Sequence, residues 1–207
     1  MAITTYSELQ TAVANWLNRA DLTTRIPEFI ALAEAHLNRR LRTVQMEARD
    51  SGVSSDATVP MPDDWLETRT LRLADPTNGQ QLLEYVGEQE WDDLETQGLT
   101  GTTRYYTIIN GEFQVLPEPS SSLTYIHRYY AKIPALSDSN TTNWLLTKSP
   151  DLYLYASLLA AEAYLKDDDR LPVWKSIQDE IIEAMGVESE RAKRSAVRLV
   201  ARKRTFG

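Results

Sequence analysis

The stretch Ser149-Pro150-Asp151-Leu152-Tyr153-Leu154-Tyr155-Ala156-Ser157-Leu158-Leu159-Ala160-Ala161-Glu162-Ala163-Tyr164-Leu165 decides the fold. It opens as a helix does. Ser149 offers a capping hydroxyl, Pro150 suits the first helical position, and Asp151 suits the positive end of the helix dipole. Tyr155, Leu158, Leu159 and Leu165 spread around a helical wheel, and Leu154, Ala156 and Ala161 fill the gaps. A helix that is apolar nearly all round is wrapped by other elements. This one is shorter than the roughly 20 apolar residues of a membrane span. The expectation is therefore the central helix of a helical core. Glu162 reads as a charge reaching the rim or a basic partner, since no second acid or base accompanies it as catalysis would require.

Moving outward, the pattern predicts a first helix from Tyr6 to about Arg19 after a Thr4-Thr5 cap, with Leu9, Val13, Trp16 and Leu17 at helical spacing. A second starts near Arg25 with Pro27 in its first turn, and buries Phe29, Ile30, Ala33, Leu37 and Leu41. A last helix has Pro172 in its first turn and an inner face of Trp174, Ile177, Ile181 and Met185, weakened at Gly186. Between the helical halves the grammar is that of strands. Thr43–Ser51, Thr68–Leu73, Leu82–Val86, Arg104–Ile109, Glu112–Leu116 and Leu123–Ala131 read as strands, Gly52–Pro62 as turns, and Glu88–Gln97 as a short acidic helix. Asn110-Gly111 is a strong hairpin signal. Ile133–Leu146 reads as an irregular crossover pinned by Ile133, Leu136, Trp144 and Leu145.

The expected fold is thus mainly α: a four-helix bundle core with a small antiparallel β insertion and an extended basic C-terminal tail. Residues 1–42 and 147–190 would form the bundle, 43–146 the β-rich insertion and crossover loop, and 191–207 the tail.

Charge is unevenly distributed. The 207-residue chain carries a net −8, yet after Glu190 it has seven basic residues and no acid, so residues 1–190 stand at −15. An acidic body with a basic tail marks the tail as an interaction segment. No cysteine is present, so disulfides and thiolate metal sites are excluded. The N-terminus lacks a basic run followed by an apolar one, so no signal peptide is expected.

No phosphate-cradling glycine loop and no nucleophile elbow occurs. His36 and His127 lie in different elements. They read as a packing residue beside a helix face and as a sheet-face residue between Tyr125 and Tyr129, not as ligands. Glu88, Glu90, Asp92, Asp93 and Glu95 read as a solvated helix face, and Asp167-Asp168-Asp169 as a helix terminator in preference to a hard-cation site. No catalytic residue, cofactor or metal is expected. The Tyr105-Tyr106 and Tyr129-Tyr130 pairs could stack bases, but the body around them repels phosphate. For the tail, four readings compete: nucleic-acid binding, membrane contact, an idle solvated segment, or docking into a protein. Val197, Leu199, Val200 and Phe206 interleaved with arginine suit a protein groove best.

Several segments, in chain order, carry a resemblance. They are Ile3-Thr4-Thr5-Tyr6-Ser7-Glu8-Leu9, Ile26-Pro27-Glu28-Phe29-Ile30-Ala31-Leu32-Ala33-Glu34, Leu82-Leu83-Glu84-Tyr85 and Tyr105-Tyr106-Thr107-Ile108-Ile109. They continue with Asn143-Trp144-Leu145-Leu146, Tyr153-Leu154-Tyr155-Ala156-Ser157-Leu158-Leu159 and Tyr164-Leu165-Lys166-Asp167-Asp168. Together they resemble the head–tail adaptor proteins of tailed bacteriophages. The resemblance implies a non-enzymatic virion protein, assembled in the host cytoplasm, that forms a ring beneath the portal. It implies twelve copies, a portal partner above, a tail or nozzle protein below, and no membrane partner. Genome DNA would pass through the lumen without specific binding, as an acidic wall favours. The resemblance also implies a C-terminal extension that reaches up into the portal; from the tail's own basic and apolar residues, those expected to dock are Arg191, Lys193, Arg194, Val197, Arg198, Leu199, Arg202, Lys203, Arg204 and Phe206. With seven like charges and few large apolar side chains, residues 191–207 are expected to be mobile alone and ordered on the portal. The competing reading is a nucleic-acid-binding protein acting through that tail. A carboxylate hydrolase would need two acids roughly 5–10 Å apart in a cleft.

Overall fold

Thr5 starts the first helix. Its hydroxyl accepts from the Glu8 amide at 3.3 Å while the Glu8 carboxylate accepts from the Thr5 amide at 3.1 Å. This reciprocal cap opens α1 (Tyr6–Leu17), which ends at Asn18 in the left-handed region (φ 52°). The computed structural model describes residues 2–19, 21–54, 57–75, 79–119, 121–165 and 170–195. The chain divides into two units, Met1–Met46 with Ile133–Gly207, and Glu47–Lys132.

In the first unit, α2 (Ile26–Arg40) has its proline in the first turn, where the missing N–H costs nothing. After the other unit the chain returns through the crossover, forms α4 (Trp144–Lys148) capped by Asn143, then α5 (Pro150–Leu165) and α6 (Leu171–Ser195). The central helix is α5. Leu152, Tyr153, Leu154, Ala156, Ser157, Leu158 and Ala161 are all buried, and α1, α2, α4 and α6 pack around it. Leu9, Val13 and Leu17 are buried as expected, but Trp16 stays 43 % exposed, edge-on to Tyr155. The Ser149 hydroxyl does not cap the helix; it donates to Met185 Sδ at 3.7 Å.

A buried polar network fastens the crossover to this core. Glu34 Oε1 on α2 accepts from the Leu136 amide at 2.8 Å and from the Tyr153 hydroxyl at 3.0 Å. Asn143 Nδ2 donates to Tyr153 Oη at 2.6 Å and to the Pro134 carbonyl at 2.7 Å. A buried carboxylate is tolerated when its lone pairs are used this way. Its cost shows in Glu34, whose pKa burial pushes above the usual 4.5 against the pull of those two donors.

The second unit holds α3 (Glu88–Thr96) and eight strands: β1 (Glu47–Ser54), β2 (Thr58–Val59), β3 (Trp65–Asp75), β4 (Gly79–Leu82), β5 (Glu84–Tyr85), β6 (Tyr105–Ile109), β7 (Glu112–Leu116) and β8 (Leu123–Ala131). They form two four-stranded sheets, ordered β1-β8-β3-β4 and β2-β7-β6-β5. The inner residues Leu71, Leu73, Tyr125, Phe113 and Val115 close one core from both sheets. The β6–β7 hairpin turns at Asn110 (φ 54°) and Gly111 (φ 77°), the positive φ pair that a tight hairpin requires. Gly52 lies opposite Tyr125, and a Cβ there would sit 2.7 Å from the Tyr125 hydroxyl.

The fold is therefore not a mainly α four-helix bundle. The described residues contain six α-helices and two sheets of four strands, with 46 % helix and 25 % strand. Nor is the β part wholly antiparallel, because β5 pairs parallel to β6. The expectation failed for local reasons. β2 is two residues long, too short to show any alternation, and β4 begins at Gly79, before the strand expected from Leu82. Gly52, read as a turn, is a strand residue kept small by a tyrosine ring. Trp65, read as a turn anchor, begins the longest strand.

Candidate interaction surfaces

The described residues contain no group of three or more His, Cys, Asp or Glu able to hold a metal, and no helix among them is long and apolar enough to cross a membrane. Asp167, Asp168 and Asp169 lie outside the described residues. Glu162 is exposed. Three surfaces stand out among the described residues.

The first surface is a groove of about 350 Å³ between α2, α5 and α6. Its floor is apolar, with Leu159 and Ala160 from α5 and the 58 % exposed Leu32 from α2. Its rim is basic. Arg40 is held by Asp179 at 2.6 Å, whereas Arg39 and Lys175 make no ion pair among the described residues. His36 is pushed below its ordinary 6.5 by burial and then by Arg40 and Arg39, so it is neutral at pH 7. Gln178 also lines the groove. It is only 3 % exposed, and its Nε2 has no hydrogen-bond partner among the described residues.

The second surface is the end of α6. The helix continues through Arg191, Lys193 and Arg194, so these three of the ten tail residues sit on a helix, with Lys193 Nζ 3.1 Å from Glu190. Val197, Arg198, Leu199, Arg202, Lys203, Arg204 and Phe206 lie outside the described residues.

The third surface is the outer face of the β1-β8-β3-β4 sheet. Arg49 stands directly opposite Arg128, with Thr70 beside it. Like charges in such a pair repel. Arg69 lies 5.4 Å over the Tyr130 ring and pairs with Glu47. On the inner face of the same strand, His127 is fully buried, stacked on Tyr129 and edge-on to Phe113. Its Nε2 is 3.1 Å from the Thr68 hydroxyl, its Nδ1 is unpartnered among the described residues, and burial lowers its pKa to about 4. It is a packing residue, held neutral. The acids of α3 are exposed around a buried Trp91, as a solvated face.

One comparison bears on these surfaces. The family model for the SU10 adaptor protein matches residues 4–202. The chain belongs to that family of phage head–tail adaptors. No curated protein matches the chain. The adaptor is thus a phage structural protein and a virion component.

Sequence patterns missed two parts of this adaptor's architecture. Glu34 lies four residues after Ile30 and three before Leu37, an acid on an apolar face, and that placement was the available signal. Gln178 lies four residues after Trp174 in the same way.

Proposed function

We propose that the adaptor forms a ring that joins the portal to the tail of the virion, in twelve copies, with genome DNA passing through its lumen. The observation that carries this reading is the family match across residues 4–202, which spans both structural units and most of the tail. The acidic balance of residues 1–190 supports a lumen that offers phosphate no binding well. The basic residues from Arg191 onward dock into the portal above, and a tail or nozzle protein binds below. Val197, Leu199 and Phe206 fill apolar pockets there, while Arg191, Arg194, Arg198, Arg202 and Arg204 meet carboxylates. The protein does this without catalysis or cofactor.

The experiment is co-sedimentation of the adaptor with its portal, with free duplex DNA as the comparison. Comigration with portal that persists in the absence of DNA supports the reading. A salt-dependent shift of free DNA with no portal binding would replace it with the nucleic-acid reading.

A further inference from the structure

The groove between α2, α5 and α6 has the makings of a receptor. It has an apolar floor at Leu32, Leu159 and Ala160, and two cations, Arg39 and Lys175, without ion partners among the described residues. An incoming group that suits both is a helix face with a small apolar tip between carboxylates.

Such a face lies on the far side of α6. The helix buries Trp174, Gln178, Met185 and Ser189. At about 100° per residue, Glu180, Glu183, Ala184 and Val187 fall on the opposite side, and all four are exposed. Val187 is 46 % exposed. Lys148 pairs with Glu188 and Lys193 with Glu190, but Glu180 and Glu183 have no ion pair among the described residues. Charge and shape on this face complement those of the groove.

We propose that the groove of one copy receives the outward face of α6 from the next copy, with Ala184 and Val187 on Leu32 and Leu159, and Glu180 and Glu183 against Arg39 and Lys175. Groove and face are different patches on opposite sides of one helix, so the contact is head-to-tail and generates a ring or a filament, not a closed dimer. The inference rests on the ring reading above and names the surfaces that would build it.

The chain has no cysteine, so single introduced thiols report contact directly. Leu32→Cys and Val187→Cys, both at exposed positions, are mixed in equal amounts and oxidised, in solution and on the portal. The mixture is expected to yield a covalent dimer, with each variant alone yielding none. Charge reversal gives a second readout. Arg39→Glu with Lys175→Glu, and Glu180→Lys with Glu183→Lys, should each abolish self-assembly, and mixing the two should restore it. Rings visible by electron microscopy without the mixed crosslink and without rescue would overturn these surfaces and leave the ring reading standing. Loss of both, with no ring on the portal in the unaltered protein, would overturn the ring reading as well.

Discussion

The Tyr153 hydroxyl of α5 donates to Glu34 of α2 at 3.0 Å, inside the core. The same Glu34 oxygen accepts the backbone amide of Leu136. One carboxylate thus ties two helices and the returning chain together, at a desolvation cost that its two donors offset in part.

The pKa shift of Glu34 sets a pH dependence. Its folded pKa is raised above the unfolded 4.5, so the folded state binds the proton more tightly. The associated stability is complete below pH 4.5 and is lost as pH rises through the folded value. Glu34→Gln removes this term, and its melting temperature should stay flatter than that of the unaltered protein from pH 4.5 upward. Tyr153→Phe deletes a donor to a buried carboxylate and should destabilise by about 1–3 kcal/mol. Thermal melts across pH check both.

His127 has the opposite sign. Its folded pKa lies near 4, below the ordinary 6.5, so the folded state binds fewer protons. The stability this provides is present above pH 6.5 and is lost as pH falls toward 4. Asp50, paired with it from the adjacent strand β1, attracts the proton and narrows the window. His127→Phe should remove this acid-labile step. The check is the near-ultraviolet signal of the Trp65 and tyrosine cluster, followed from pH 7 to 4.

Leu158 is fully buried in α5. Leu158→Asp would place an unpaired charge at the centre of the helical core, costing several kcal/mol. A melting temperature within a degree or two of the unaltered protein would contradict the central-helix assignment.

Some of this was legible in the residues and some was not. The all-round apolar character of Leu152–Leu158 places the central helix, and Asn110-Gly111 marks the hairpin, because both patterns are local. The β unit was underestimated because its edge Thr58–Val59 acquires strand character only through a partner distant in the chain, and the parallel pairing of Glu84–Tyr85 with β6 leaves no local signal. The groove was not visible at all. Leu32, Leu159 and Lys175 belong to three helices, and only packing brings them together.

The tail yields a further expectation. Deleting residues 196–207 removes Arg198, Arg202, Lys203 and Arg204 but only four large apolar side chains, Val197, Leu199, Val200 and Phe206. The melting temperature should stay nearly unchanged while portal docking is lost. Replacing only the arginines should weaken docking progressively as salt is raised. Retained affinity in the truncated protein would contradict the docking role.

The most direct measurement is an electron cryomicroscopy reconstruction of the adaptor bound to its portal. The account predicts a single closed ring beneath the portal, with α6 of each copy against the groove of its neighbour and residues from Arg191 onward reaching into the portal. A reconstruction of bare portal, or isolated adaptor copies on DNA, would contradict it.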